Sequence, residues 1–158
     1  MTPKEEPNIK NIASNRRASH EYELLDRFEA GMVLTGTEIK SIRAHKVSLQ
    51  RAFVQAKGDE LWLYEANIAI YDHGNRENHE PERPRKLLLH RREIAKIMRA
   101  IATKGMSMVP TRLYLKKGRA KVEVALARGK KLFDKREDLA RRDSARQMER
   151  DLRERVRY

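Results

Sequence analysis

Two short turns, Lys57-Gly58-Asp59 and Lys117-Gly118-Arg119, each stand between runs of strand-forming residues. A glycine turn between such runs commits a chain to antiparallel hairpins. After the second turn Val122, Val124 and Leu126 alternate with Lys121 and Glu123, so one face is apolar and the other charged. The spacing predicts strands over 20–28, 53–56, 61–71, 106–116 and 120–128. In the first of these Tyr22, Leu24 and Phe28 fall on one face, with Glu21, Glu23, Arg27 and Glu29 on the other. In the third, Trp62, Tyr64, Ile68 and Ile70 oppose Leu61 and Leu63, apolar on both faces, which predicts a central strand.

The period changes twice. Val33, Ile39 and Ile42 can share a helix face within 32–43, weakened by Gly36. Ile94, Ile97, Met98 and Ile101 follow i, i+3, i+4, i+7, predicting a helix over 91–104 that Gly105 stops. Residues 72–85 form a long polar loop, in which His73 and His79 read as solvated side chains. The expected fold is mainly β with flanking helices, and an oligonucleotide-binding-type β-barrel satisfies the count. Periodicity alone is satisfied equally by another small α+β domain. At 158 residues the chain is expected to divide into an arm over 1–19 that orders on contact, a domain over 20–136 and a tail over 137–158.

Charge narrows the partner. Residues 85–136 hold 17 Lys and Arg against three acids, while the other 106 residues are near balance, so this third carries the whole excess of +13. A one-signed stretch implies a polyanion, and closely spaced phosphates reward dense cations through counterion release. Lys117, Arg119 and Lys121 gather at a hairpin tip and its outer face, followed by Arg128, Lys130, Lys131, Lys135 and Arg136. Phe133 among these cations is either a ring for base stacking or a core anchor.

The tail differs, with seven Arg, six acids, no Gly and no Pro. Glu137/Arg141, Asp138/Arg142, Glu149/Arg153 and Asp151/Arg155 pair acid-first at i, i+4, each worth about 0.2–0.5 kcal/mol. Its apolar stripe of Ala145, Met148, Leu152 and Val156 is too narrow for docking. The tail is therefore expected to be marginally helical or disordered when free, and to fold on a partner.

Catalytic and membrane classes find little support. The histidines lack metal-ligand spacing, and no phosphate-cradling glycine loop, nucleophile elbow or HExxH occurs. Asp26, Glu29 and Glu38 are too few for a metal-dependent nuclease and read as surface charge or helix support. No cofactor or metal is expected. Zero cysteines, the absence of a run of about 18 apolar residues, and a start without a secretory apolar stretch make a cytoplasmic protein the expectation.

Several blocks in order are specific enough to carry a resemblance: Asn15-Arg16-Arg17-Ala18, His20-Glu21-Tyr22, Phe28-Glu29-Ala30-Gly31, Gly36-Thr37-Glu38-Ile39-Lys40-Ser41-Ile42-Arg43, Arg85-Lys86-Leu87-Leu88-Leu89-His90, and Gly129-Lys130-Lys131 with Asp134-Lys135-Arg136. Over roughly residues 9–136 the chain resembles the small protein B family, the SsrA-binding proteins of bacteria. The resemblance implies an oligonucleotide-binding-type barrel that binds the tRNA-like domain of transfer-messenger RNA and enters stalled ribosomes with it for trans-translation. Glu29, Leu88 and Lys121 then align with RNA-binding positions, and His20 lies in a motif associated with the same surface. Lys130, Lys131, Phe133, Asp134, Lys135 and Arg136 align with the segment placed at the small-subunit decoding site. Arg141, Arg142, Arg146, Met148, Arg150, Leu152 and Arg153 would lie along the vacant messenger RNA channel. His45 departs from a common Gly, which bears on the local turn, and Ser19 from a common Arg, which removes one cation. The implied protein is a monomer that meets elongation factor Tu only through the charged RNA. A structural ribosomal-RNA-binding protein of a subunit explains the charge equally well.

Overall fold

Three β-bulges and one buried ion-pair cluster set the architecture. The computed structural model describes residues 8–71, 78–129 and 132–156. In chain order the elements are β1 (Ile9–Ser14), α1 (Arg16–Glu21), β2 (Tyr22–Met32), α2 (Gly36–Arg43), β3 (Val47–Ser48), β4 (Phe53–Lys57), β5 (Glu60–Tyr64), β6 (Asn67–Ile68), β7 (Arg85–Leu88), α3 (Arg91–Lys104), β8 (Ser107–Lys116), β9 (Arg119–Gly129) and α4 (Leu132–Val156). The fold is mixed α/β: a curved antiparallel sheet with flanking helices. Strand order is β1-β8-β4-β5-β7-β2-β9, and β9 pairs back to β8; β3 and β6 form a separate ribbon. Inside lie Phe28, Leu61, Leu63, Leu87, Leu113, Val122 and Val124, with Ile97 of α3 packed fully buried against them.

The expected helix over 91–104 is α3, and Gly105 ends it at φ 59°, in the left-handed region that glycine occupies without strain. Val122, Val124 and Leu126 face inward as the alternation requires. β5 is central, between β4 and β7, but it stops at Tyr64 because Glu65 turns to φ 57°. α2 starts late, at Gly36, under a capping box: Thr35 Oγ1 accepts the Glu38 N–H at 3.3 Å and Glu38 Oε1 accepts the Thr35 N–H at 2.9 Å.

The bulges correct the first strand. Leu24 pairs with Ala127 but Arg27 pairs with Ala125, so β2 carries one extra residue between them. An extra residue reverses which parity faces the core. Phe28 accordingly points inward, whereas Tyr22 and Leu24 pack outside with Ala18, Val109 and Ala127 under α1. His20 lies in α1 rather than on the strand. Nor is 9–14 an arm awaiting contact: β1 pairs with β8 from Ile9↔Lys116 to Ser14↔Arg112. β8 bulges at Thr111, since Pro110 pairs with Val124 but Arg112 with Glu123; Asn15 fastens α1 there, with its backbone N–H on Thr111 O at 2.8 Å and Nδ2 on Pro110 O at 2.9 Å.

Glu38 is no surface acid. It and Arg85 are both fully buried, and Arg85 Nε donates to Glu38 Oε2 at 2.5 Å while Arg83 Nη2 donates to Oε1 at 2.6 Å. Arg85 also donates to the carbonyls of Ala66 at 2.6 Å and Pro81 at 3.0 Å. His79 is likewise buried rather than solvated, joined to Thr37 Oγ1 at 2.9 Å and Ile68 O at 2.7 Å; His73 lies outside the described residues. In the tail, α4 is a helix over 132–156. Its described side chains, residues 140–153, are all exposed, so local pairs such as Glu149–Arg153 at 3.0 Å support it rather than burial. No described helix is long and apolar enough to cross a membrane.

Removing one partner of a buried pair leaves an uncompensated charge, so Glu38→Gln is expected to destabilise the fold by about 3–5 kcal/mol in urea titrations. A loss below about 1 kcal/mol would show that Arg85 does not depend on Glu38. Burial alone would raise the Glu38 pKa, but Arg83, the Thr35 N–H and Arg85 outweigh it and hold it below the ordinary value. A folded pKa below the unfolded one gives stability that is complete above the unfolded pKa and lost as pH falls through the folded one. Wild type should therefore lose this contribution in acid, and the stability gap to Glu38→Gln should narrow there.

Candidate nucleic-acid interface

The proposed site begins at a glycine. Gly31 of β2 stands opposite Lys121 of β9 on one side and Leu88 of β7 on the other. A Cβ at Gly31 would lie 3.4 Å from Leu88 Cβ and 3.7 Å from both Leu88 Cδ1 and Lys121 Nζ. The bare backbone is thus the floor over which an apolar and a cationic side chain meet. Around them opens a groove of about 950 Å³ that also takes in Glu29, Glu60, Lys86 and the first turn of α3. Leu88 is 51% exposed, an apolar surface offered to the groove.

Glu29 is held in place from beneath. The Tyr114 hydroxyl donates to Glu29 Oε2 at 2.5 Å, and Lys116 Nζ reaches Oε1 and Oε2 at 3.2 and 3.3 Å. Burial works against the charge of Glu29, but Tyr114, Lys116 and Lys121 together put its pKa below the usual range, so it is a carboxylate at neutral pH. Tyr114 is pushed far upward, by burial first and then by donation to Glu29, and stays protonated. Its ring carries the Arg112 guanidinium 4.7 Å from the centroid. Next along β9, Glu123 accepts from Thr111 Oγ1 at 2.6 Å and pairs with Arg112 at 3.4 Å and Arg27 at 3.5 Å. The face therefore mixes fixed carboxylates with cations.

The structure gathers Glu29, Leu88 and Lys121, three residues separated by up to 92 positions, into one groove. Lys117 and Arg119 stay outside its walls, exposed at the β8–β9 tip, where Lys117 (φ 52°) and Gly118 (φ 78°) make a two-residue turn with both φ positive. His20 is not in the groove either; its Nδ1 is buried in α1 without a hydrogen-bond partner. Lys130 and Lys131 lie outside the described residues, and Phe133, Asp134, Lys135 and Arg136 fall on the opening turns of α4. Arg141, Arg142, Arg146, Met148, Arg150, Leu152 and Arg153 line its exposed length, Met148 at 67% and Leu152 at 61% exposure.

Sequence reasoning missed Tyr114, because its role comes from register: Tyr114 faces Lys121 across β8–β9, and only that pairing brings it under Glu29. His45 adopts φ 60°, the left-handed conformation that a glycine at this turn would take freely. Among the described residues no group of three or more His, Cys, Asp or Glu is placed to hold a metal ion.

Comparison with known proteins gives one answer throughout. The model of the SmpB protein family matches residues 12–154. The SsrA-binding protein of Carboxydothermus hydrogenoformans is 51% identical over 146 residues, covering 92% of this chain and 98% of its own. That of Protochlamydia amoebophila is 56% identical over 144 residues, covering 91% and 94%. A solved structure described as "tmRNA-SmpB: a journey to the center of the bacterial ribosome" superposes with a TM-score of 0.63 at 45% identity, over 75% of this chain and 84% of the other. With a family match over nearly its whole length and relatives above half identity, this chain belongs to the SmpB family.

Proposed function

We propose that the chain binds the tRNA-like domain of transfer-messenger RNA across the groove floored by Gly31, and delivers that RNA to stalled ribosomes for trans-translation. The observation that carries this reading is the convergence of Glu29, Leu88 and Lys121 on one groove. Each offers a different contact: Lys121 pairs a phosphate, Leu88 packs on an unstacked base, and Glu29 accepts from a base amino or imino group. Tyr114 occupies Oε2 of Glu29, so Oε1, shared only with Lys116, is the oxygen with room for RNA. The return of β9 to β8 supports reading the sheet as an oligonucleotide-binding-type barrel. The RNA-binding unit is then residues 20–136 with β1 and α1 added.

On this reading Lys130, Lys131, Phe133, Asp134, Lys135 and Arg136 go to the decoding site, and the tail from 137 occupies the vacated messenger RNA channel. What supports the tail's part is a helix whose described side chains, residues 140–153, are all exposed, the apolar Met148 and Leu152 among them. A groove walled by phosphate would bury that apolar surface and suit the arginine-rich helix. A cytoplasmic monomer that meets elongation factor Tu only through the charged RNA completes the proposal.

Two expected outcomes test it. Lys121→Ala should weaken binding of the tRNA-like domain and reduce the slope of log affinity against log salt by about one counterion. Glu29→Gln should weaken binding with no such flattening, since the lost carboxylate repels phosphate at long range and its removal releases Lys116. An unchanged slope for Lys121→Ala would contradict the phosphate assignment. Separately, a chain ending at Arg136 should keep the RNA affinity of the full protein yet fail to support peptide tagging on stalled ribosomes. Tagging at the full rate would make the tail dispensable.

A further inference from the structure

We propose that the RNA groove continues across β7 onto the outer face of β5, where Trp62 serves as a stacking platform for an unpaired base of the same RNA. The inference rests on the RNA-binding reading above and extends its footprint. β4 and β5 turn Val54, Leu61 and Leu63 inward, at 6%, 0% and 1% exposure, and Phe53, Trp62 and Tyr64 outward, each only half-buried. Phe53 and Tyr64 satisfy one another, with ring centroids 5.6 Å apart and 17° between planes. Among the described residues Trp62 has no aromatic partner of this kind; its cross-strand neighbours are Gln55 and Lys86.

Two features suit Trp62 to a base. Its indole Nε1 donates to Glu60 Oε2 at 3.1 Å, which fixes the ring plane and uses up its one hydrogen. What remains to offer is the ring face, and a face stacks on any base without reading its identity. Cations flank it: Lys57 Nζ rides 5.8 Å from the ring centroid, and Lys86 Nζ reaches Glu60 Oε1 at 3.1 Å. Both belong to exposed, flexible side chains that can turn to phosphates once a nucleotide covers the ring. Glu60 and Lys86 are themselves walls of the groove that holds Leu88 and Lys121, so a strand leaving Leu88 along β7 meets Trp62 next. Continuity with the groove and cations on both sides favour RNA over a protein partner.

The chain contains a single tryptophan, so its emission reports on this position alone. Titration of the full-length protein with a transcript of the tRNA-like domain should quench that emission, with the same midpoint that an end-labelled transcript gives. Trp62→Ala should raise the Kd by about fivefold to a hundredfold, the range of one base–aromatic stack, with the salt slope unchanged. Trp62→Phe, which keeps a ring in the hairpin, should recover much of the affinity. Emission unaltered at saturating RNA, or a wild-type Kd for Trp62→Ala, overturns the platform while leaving the Gly31 groove intact. Loss of tagging by Trp62→Ala at full RNA affinity also overturns it, in favour of a protein contact. Failure of the wild-type protein to bind the transcript overturns the RNA reading and the platform together.

Discussion

The ion-pair cluster at Glu38 is the constraint on which the rest depends. Arg85 opens β7 and Leu88 closes it, so whatever fixes Arg85 also fixes the residue that leans over Gly31. The guanidinium joins α2 through Glu38, the β5–β6 connection through Ala66 and the 78–84 segment through Pro81. β7 is only four residues long; three Cα pairings tie it to β5, but just two tie it to β2, so few ladder hydrogen bonds set its register beside Gly31. Two buried charges cost several kcal/mol each to desolvate, and such a pair contributes less to stability than to a unique arrangement. Here the arrangement obtained is the registration of β7 beside Gly31.

Charge placement in the proposed interface is likewise a matter of positions more than totals. Lys116 and Arg112, both inside the most basic third of the chain, are engaged by Glu29 and Glu123. Lys121 acts on Glu29 only at longer range and keeps its ammonium at the groove floor. A carboxylate amid cations lowers the attraction for phosphate generally and leaves a contact that only a correctly placed base donor satisfies. That division between positioning and reading is what nucleic-acid recognition needs.

Much of this was legible from the chain. Both hairpins, α3 with its glycine stop, and the inward set of β9 follow from local periodicity, because tertiary packing agrees there with the local pattern. Glu29, Leu88 and Lys121 were reached by block resemblance, and the structure then brought them together. What escaped was what local pattern does not encode. One extra residue in β2 reversed the faces of Tyr22 and Leu24, Glu38 and His79 read as surface groups although partners far along the chain bury them, and β1 had too few apolar residues to announce a strand. Thr35-x-x-Glu38 does mark the start of α2, yet nothing local says that its carboxylate is shared with Arg83 and Arg85.

The central claim is that the surface around Gly31, assembled from β2, β7 and β9, receives the tRNA-like domain. Backbone amide shifts of the labelled full-length protein during titration with that RNA test it most directly. The account predicts that Gly31, Leu88 and Lys121 move together and earliest, while the β3–β6 ribbon stays still. Shifts confined to the Lys117–Gly118 tip and α4, with the amides around Gly31 unmoved at saturation, would contradict it.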